Sequence, residues 1–270
     1  MTRTTEPIRH ASVLVPVAGF PFPVLASAGL EERARPLAQR CARAYQLLAD
    51  ALGRKPQVTV QVLSELDWRP PLPYGMPHFA SGTLVLAGED AEYWRSFVPL
   101  IDQAPPSVRA LAVKVYGPGL DLGPFFDLLA VHEMGHAFHA GVRLPRRWLE
   151  EAFANLGLHA YVTSAEPARL PALRALPAVV TSVPPETFAH RTLADFEELY
   201  SSMHPLNYGW YQCHLHRMAE RVYDVGGLRA LERLHAFEAL SEISDAALAD
   251  RLRAHMGVDT ATILLRWPAA

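Results

Sequence analysis

Residues 129–155 read LAVHEMGHAFHAGVRLPRRWLEEAFAN, and the fold is decided here. Apolar residues recur at helical spacing on both sides of a short break at Gly141–Pro145, which predicts one helix over Phe125–Ala140 and a second over Arg147–Tyr161. On the first helix His132 and His136 are four residues apart, so their side chains leave the same face one turn apart, with Glu133 beside them. With twelve histidines and seventeen glutamates in 270 residues, this H-E-x-x-H arrangement arises by chance only about 0.03 times, so composition alone does not explain it.

Upstream of this pair the chain alternates strands and helices. Ser12–Ala18 is expected to be a first strand, Leu30–Leu52 a long amphipathic helix closed by Gly53, Gln57–Leu63 (QVTVQVL) a half-buried strand and Gly82–Ala87 (GTLVLA) another. Pro70–Pro77 reads as a loop, Tyr93–Gln103 as a helix, and Val108–Val115 fits either a helix or a strand. Downstream, Leu193–Leu199, Tyr208–Val225, Leu228–Leu240 and Asp245–Met256 carry helical periodicity, and the proline-rich 167–185 stretch is expected to be an irregular connector. Strands lead and helices follow. The expected class is α+β, a single domain over 1–270 with an α/β lobe at about 1–140 and a helical lobe at about 141–270.

Composition narrows the function. Half of the residues are apolar, enough for a sizeable core, and 25 basic against 28 acidic residues with no basic cluster argue against a nucleic-acid surface. Cys41 and Cys213 are too few for a disulfide framework or a cysteine-built metal site. Residues 11–28 (ASVLVPVAGFPFPVLASA) mimic a signal peptide ending in Ala-Ser-Ala, but Pro16, Pro21 and Pro23 interrupt the apolar helix such a leader needs. A cytoplasmic protein with no membrane partner is expected, with secretion as the alternative; oligomeric state is not legible.

Two imidazoles one turn apart can converge on one zinc ion, which needs at least one more protein ligand and an open position for water. A metzincin pattern fails, because His139 and Val142 stand three and six residues after His136. The segment Leu144–Asn155 is instead similar to that of the gluzincin metallopeptidases, whose third ligand is a glutamate on the following helix, often in a P-x-W-x-x-E-G-x-A context. In that register Trp148 matches the tryptophan, Glu151 the ligand, Ala152 the usual glycine and Ala154 the alanine. A separate argument also favours Glu151 over Glu150: Asn155 lies one turn further along the face of Glu151, where it could accept a hydrogen bond from the non-metal nitrogen of a liganding histidine. Many gluzincins carry aspartate there, so Asn155 keeps the acceptor and drops its charge. His139 is read as structural rather than a further ligand, and His159, four residues after Asn155, as either a support behind the ligands or a surface histidine.

The resemblance implies a zincin-like fold, a Zn2+ cofactor and hydrolysis of a peptide or protein substrate, with Glu133 as general base and then acid. It also implies a stabiliser for the oxyanion from the helical lobe, for which the segment NYGWYQ offers Tyr208 first, Tyr211 as the alternative and His204 behind both. It further casts Gly82–Ala87 as the cleft-edge strand that pairs with extended substrate, and includes a terminal L-x-x-W at Leu264–Trp267. The competing expectation is a zincin-like protein that binds peptide without cleaving it, since fold and metal do not guarantee turnover.

Overall fold

The computed structural model describes residues 13–141, 144–238 and 242–268. All of the described strands lie before residue 88: β1 (Val15–Pro16), β2 (Val24–Ala26), β3 (Thr59–Leu63), β4 (His78–Ala80) and β5 (Thr83–Ala87). They form one mixed sheet in the order β1-β2-β3-β5-β4, with β2, β3 and β5 parallel and the two outer strands antiparallel to their neighbours. The expected strand over Ser12–Ala18 shrinks to β1, because Gly19–Pro23 turn the chain back so that Val17 N–H donates to Val24 at 2.8 Å and a further strand, β2, forms. Ser12 itself lies outside the described residues.

Helix α1 (Glu31–Leu52) buries Ala34, Leu37, Ala38, Cys41, Ala44 and Leu48, the three-to-four spacing read in the sequence, and ends at Gly53 in the left-handed conformation that lets its N–H reach Ala49. The expected helix at Tyr93–Gln103 is two pieces, α2 (Glu92–Arg95) and α3 (Val98–Gln103), since Pro99 has no N–H to continue a helix and sits instead in the first turn of α3. Val108–Val115 is helical, within α4 (Pro106–Tyr116). The expected Phe125–Ala140 helix divides into α5 (Gly123–Phe126) and α6 (Leu129–His139).

Helix α7 (Arg147–Ala165) is buried along nearly its whole length, from Trp148 to Val162. Its end is tied to α1 through Glu166, which accepts from Arg40, Arg43 and Tyr161 at 2.9, 2.7 and 2.7 Å. The 167–185 stretch is not an irregular connector, for most of it is α8 (Leu170–Ser182) with Pro177 inside. An internal proline costs about 3 kcal/mol. Leu173, Leu176, Val179 and Val180 are fully buried on this helix, and at about 1.5–3 kcal/mol each their burial outweighs that cost, a tertiary gain that local composition hides.

The remaining helices are α9 (Leu193–Leu199), α10 (Pro205–His235), α11 (Asp245–Met256) and α12 (Val258–Leu265). α9 opens with a reciprocal capping box between Thr192 and Asp195. The expected helices Tyr208–Val225 and Leu228–Leu240 meet in α10 at Gly227, whose φ of 56° and ψ of −150° no other residue adopts cheaply. The second of them stops at His235, and the end proposed for it, 239–240, lies outside the described residues. The terminal L-x-x-W motif finishes α12, and Trp267 stacks on Tyr211. One buried core runs from Val17 to Leu264. Among the described residues no helix is long and apolar enough to cross a membrane.

Candidate functional site

The site stands where α6 crosses α7, and glycine sets their separation. A Cβ on Gly135 would lie 3.0 Å from Ala154 Cα and 3.3 Å from its Cβ, so the helices touch backbone to backbone. That approach brings His132 and His136 of α6 against Glu151 of α7. His132 Nε2 is 3.1 Å and His136 Nε2 3.5 Å from Glu151 Oε2, and the two ring nitrogens are 3.2 Å apart.

Glu151 is the glutamate that lies against both histidines, while the neighbouring Glu150 points to His139 at 3.9 Å. Glu151 is 1 % exposed and His132 4 %, and His136 keeps an open side. Three lone-pair atoms directed at one point repel unless a proton or a cation lies among them. With protons alone, burial opposes charging His136, but the Glu151 carboxylate overrides it and lifts its pKa to about 9. Glu151 is likewise pushed up by burial, yet the facing His136 holds it well below the usual carboxylate range. Donors about 2.1 Å from one tetrahedral ion stand about 3.4 Å from each other, so separations of 3.1, 3.2 and 3.5 Å fit one small divalent cation bound by two nitrogens and an oxygen.

Two residues that the sequence reading missed hold Glu151 in place. Tyr200, just past α9, donates to Glu151 Oε1, and the guanidinium of Arg147 sits 4.8 Å above its ring. Gln212 Nε2 donates to Glu151 Oε2 and to the Tyr208 hydroxyl, each at 2.7 Å. Gln212 lies four residues after Tyr208, a spacing the sequence displayed; nothing local signals Tyr200, which arrives by tertiary packing alone.

α7 and α10 run side by side in the same direction and carry matching polar stripes. Glu151 and Asn155 face Gln212, and further along His159 meets His216, with ring centroids 5.8 Å apart. The hydrogen bond expected between Asn155 and a liganding histidine does not form. Asn155 Nδ2 donates to the Glu151 carbonyl and to Gln212 Oε1, both at 3.0 Å, and because a carbonyl only accepts, the amide cannot be turned round. Buried His132 Nδ1 has no partner among the described residues.

Tyr208 lines the cleft together with Glu133 and His136, and burial, then the nearby Glu151 charge, keeps its phenol protonated. Tyr211 faces away, donating to the Thr192 carbonyl at 2.8 Å, and His204 caps α10 by accepting from Leu206. His139 and His159 are buried, and burial lowers the pKa of each to about 4.

The cleft encloses about 690 Å³. It is lined by Glu133, His136 and His139, by Tyr200, Met203 and Tyr208, and by His78, Phe79 and Ala80 of β4. The strand expected at the cleft edge, Gly82–Ala87, is not the edge, because β5 is paired on both sides; β4, which follows the proline-rich loop, takes that place. No protein-family model matches the chain, and neither do curated proteins or solved structures.

Proposed function

We propose that the chain is a zinc-dependent metallopeptidase of zincin-like fold, acting on peptide bonds in the cytoplasm. The observation that carries this reading is the convergence of His132 Nε2, His136 Nε2 and Glu151 Oε2 beneath a cleft that also holds Glu133. His132, His136 and Glu151 would hold the ion, and zinc bound there supplies Lewis acidity, bringing the pKa of a water to about 7.

The other steps belong to the chain's own groups. Glu133 takes the proton of the attacking water and returns it to the departing amine. Tyr208, protonated across the working pH range, donates a hydrogen bond to the oxyanion that forms at the attacked carbonyl. The open edge of β4 offers backbone groups to a substrate lying extended along the cleft. Tyr200 and Gln212 keep the Glu151 carboxylate in one orientation. Both cysteines are free and buried, in keeping with a reducing compartment.

The test combines elemental analysis with hydrolysis of a broad peptide library by wild type and Glu133→Gln. One zinc per chain, cleavage by wild type and loss of cleavage in the variant are expected. No bound zinc sinks the proposal, and zinc with peptide binding but equal inactivity of both proteins identifies a binding protein instead.

A further inference from the structure

Two pairs of residues one helical turn apart, Glu151 with Asn155 on α7 and Tyr208 with Gln212 on α10, are joined by a ring of hydrogen bonds. The direction of the bonds is fixed from one end. Asn155 Nδ2 donates to the Glu151 carbonyl at 3.0 Å, and a carbonyl only accepts. Its second hydrogen goes to Gln212 Oε1, also at 3.0 Å, which turns Gln212 Nε2 toward Glu151 Oε2 and the Tyr208 hydroxyl. Both of these contacts are 2.7 Å. One nitrogen therefore bridges the two oxygens, and they stand no farther apart than twice that distance.

This bridge decides what Tyr208 can do with its proton. A phenol oxygen that accepts from an amide keeps its own hydrogen for a different acceptor. The Glu151 carboxylate is already engaged by Tyr200 on one oxygen and by Gln212 on the other. Within the chain, the Tyr208 hydroxyl turns to the Tyr200 oxygen, a neutral acceptor. An oxyanion at the cleft is a stronger acceptor than a neutral phenol and takes that hydrogen over. An apolar side chain at 212 would leave the phenol untethered, and a carboxylate would claim its hydrogen; an amide gives a hydrogen to both oxygens.

We propose that Gln212 is the positioning residue for the oxyanion donor: it ties the Tyr208 phenol to the ligand Glu151 and directs the phenol's own hydrogen to the oxygen of the attacked carbonyl. The proposal rests on the peptidase reading and adds to the part Gln212 plays in holding Glu151. Metal ligand and oxyanion donor are then set by one amide.

The test takes a blocked peptide that wild type cleaves and an analogue with a phosphinic group in place of the scissile bond, whose oxygen stands in for the oxyanion. Binding of both is measured by calorimetry on zinc-loaded protein carrying Glu133→Gln, so that nothing is cleaved. Gln212→Met should weaken the phosphinic peptide about tenfold and leave the plain peptide unchanged. In a Tyr208→Phe background the same substitution should change neither. An equal loss in that background assigns Gln212 to Glu151 alone and overturns the proposal, as does undiminished phosphinic binding in Gln212→Met. A second measurement needs no variant at 212 to fold: in metal-free, isotope-labelled protein, Tyr208→Phe should shift the side-chain amide proton signals of Gln212, and unshifted signals overturn the proposal too. Cleavage by wild type with indifference to Gln212 removes this proposal alone, whereas a wild type that cleaves no peptide removes the peptidase reading and this proposal with it.

Discussion

Replacing Gly135 by alanine tests whether the α6–α7 contact sets the metal geometry. The new methyl would stand 3.0 Å from Ala154 Cα, 3.3 Å from Ala154 Cβ and 3.5 Å from the Ala154 carbonyl. Carbon atoms rest at about 3.5–4.0 Å, so the helices must part by roughly half an ångström or more. Overpacking of this kind costs about 1–3 kcal/mol, and alanine returns about 1 kcal/mol of helix propensity over glycine, leaving a net loss of about 0–2 kcal/mol. Metal binding should suffer more than stability. His132 and His136 move with α6 and Glu151 with α7, and ligand distances tolerate only about ±0.2 Å, so zinc affinity should fall at least about tenfold even where folding barely changes. Chelator competition measures the affinity and urea denaturation the stability. Because the nearest atom is backbone, adding Ala154→Gly should restore little of the loss. A Gly135→Ala protein with wild-type zinc affinity would refute the claim that this helix contact positions the ligands.

Three further outcomes are expected. Tyr200→Phe keeps the ring under Arg147 but removes the hydrogen bond to Glu151, so zinc affinity should drop about 10- to 100-fold with little loss of stability; an unchanged affinity in chelator competition denies Tyr200 its positioning role. Burial depresses His159 to about 4 and His216 to about 3, below the unfolded value of about 6.5. The unfolded chain then binds more protons, so this contribution to stability is complete above pH about 6.5 and is lost as pH falls toward 3; melts across that range should show a shallower acid decline in a His159→Phe, His216→Gln protein, and an identical decline rules the pair out. Gly227→Ala forces a side chain into a conformation at φ 56°, ψ −150° and should cost about 1–3 kcal/mol, read as a lower urea midpoint, with no loss of zinc if the break in α10 serves only the fold.

What could be read from the sequence were the features carried by short-range spacing. His132, Glu133 and His136 lie on one helix and Glu151 on the next, but the reason offered for preferring Glu151 to Glu150, a hydrogen bond between Asn155 and a histidine, fails, because that asparagine serves the Glu151 carbonyl and Gln212. Tyr200 was invisible because its partner is 49 residues away and no local pattern announces it. α8 was hidden by its prolines, whose cost is overcome only by burial against α4 and α10. β4 escaped because three residues after a proline-rich loop are too few to show alternation, and with it went the identity of the cleft edge.

The helical pair α6–α7 also bears on the order in which the molecule assembles. The outermost candidate ligands are only 19 positions apart along the chain, whereas the groups that fix the carboxylate come from 49 and 61 residues downstream of it. Loop closure grows costlier with chain length, so the hairpin can collect its three donors before α9 and α10 dock. If the site holds the ion proposed for it, an ion captured at that stage would lend its binding free energy to a partly folded chain, and the later arrival of Tyr200 and Gln212 on Glu151 would fix it in place. Metal supply during synthesis would then influence the yield of folded protein as well as its chemistry.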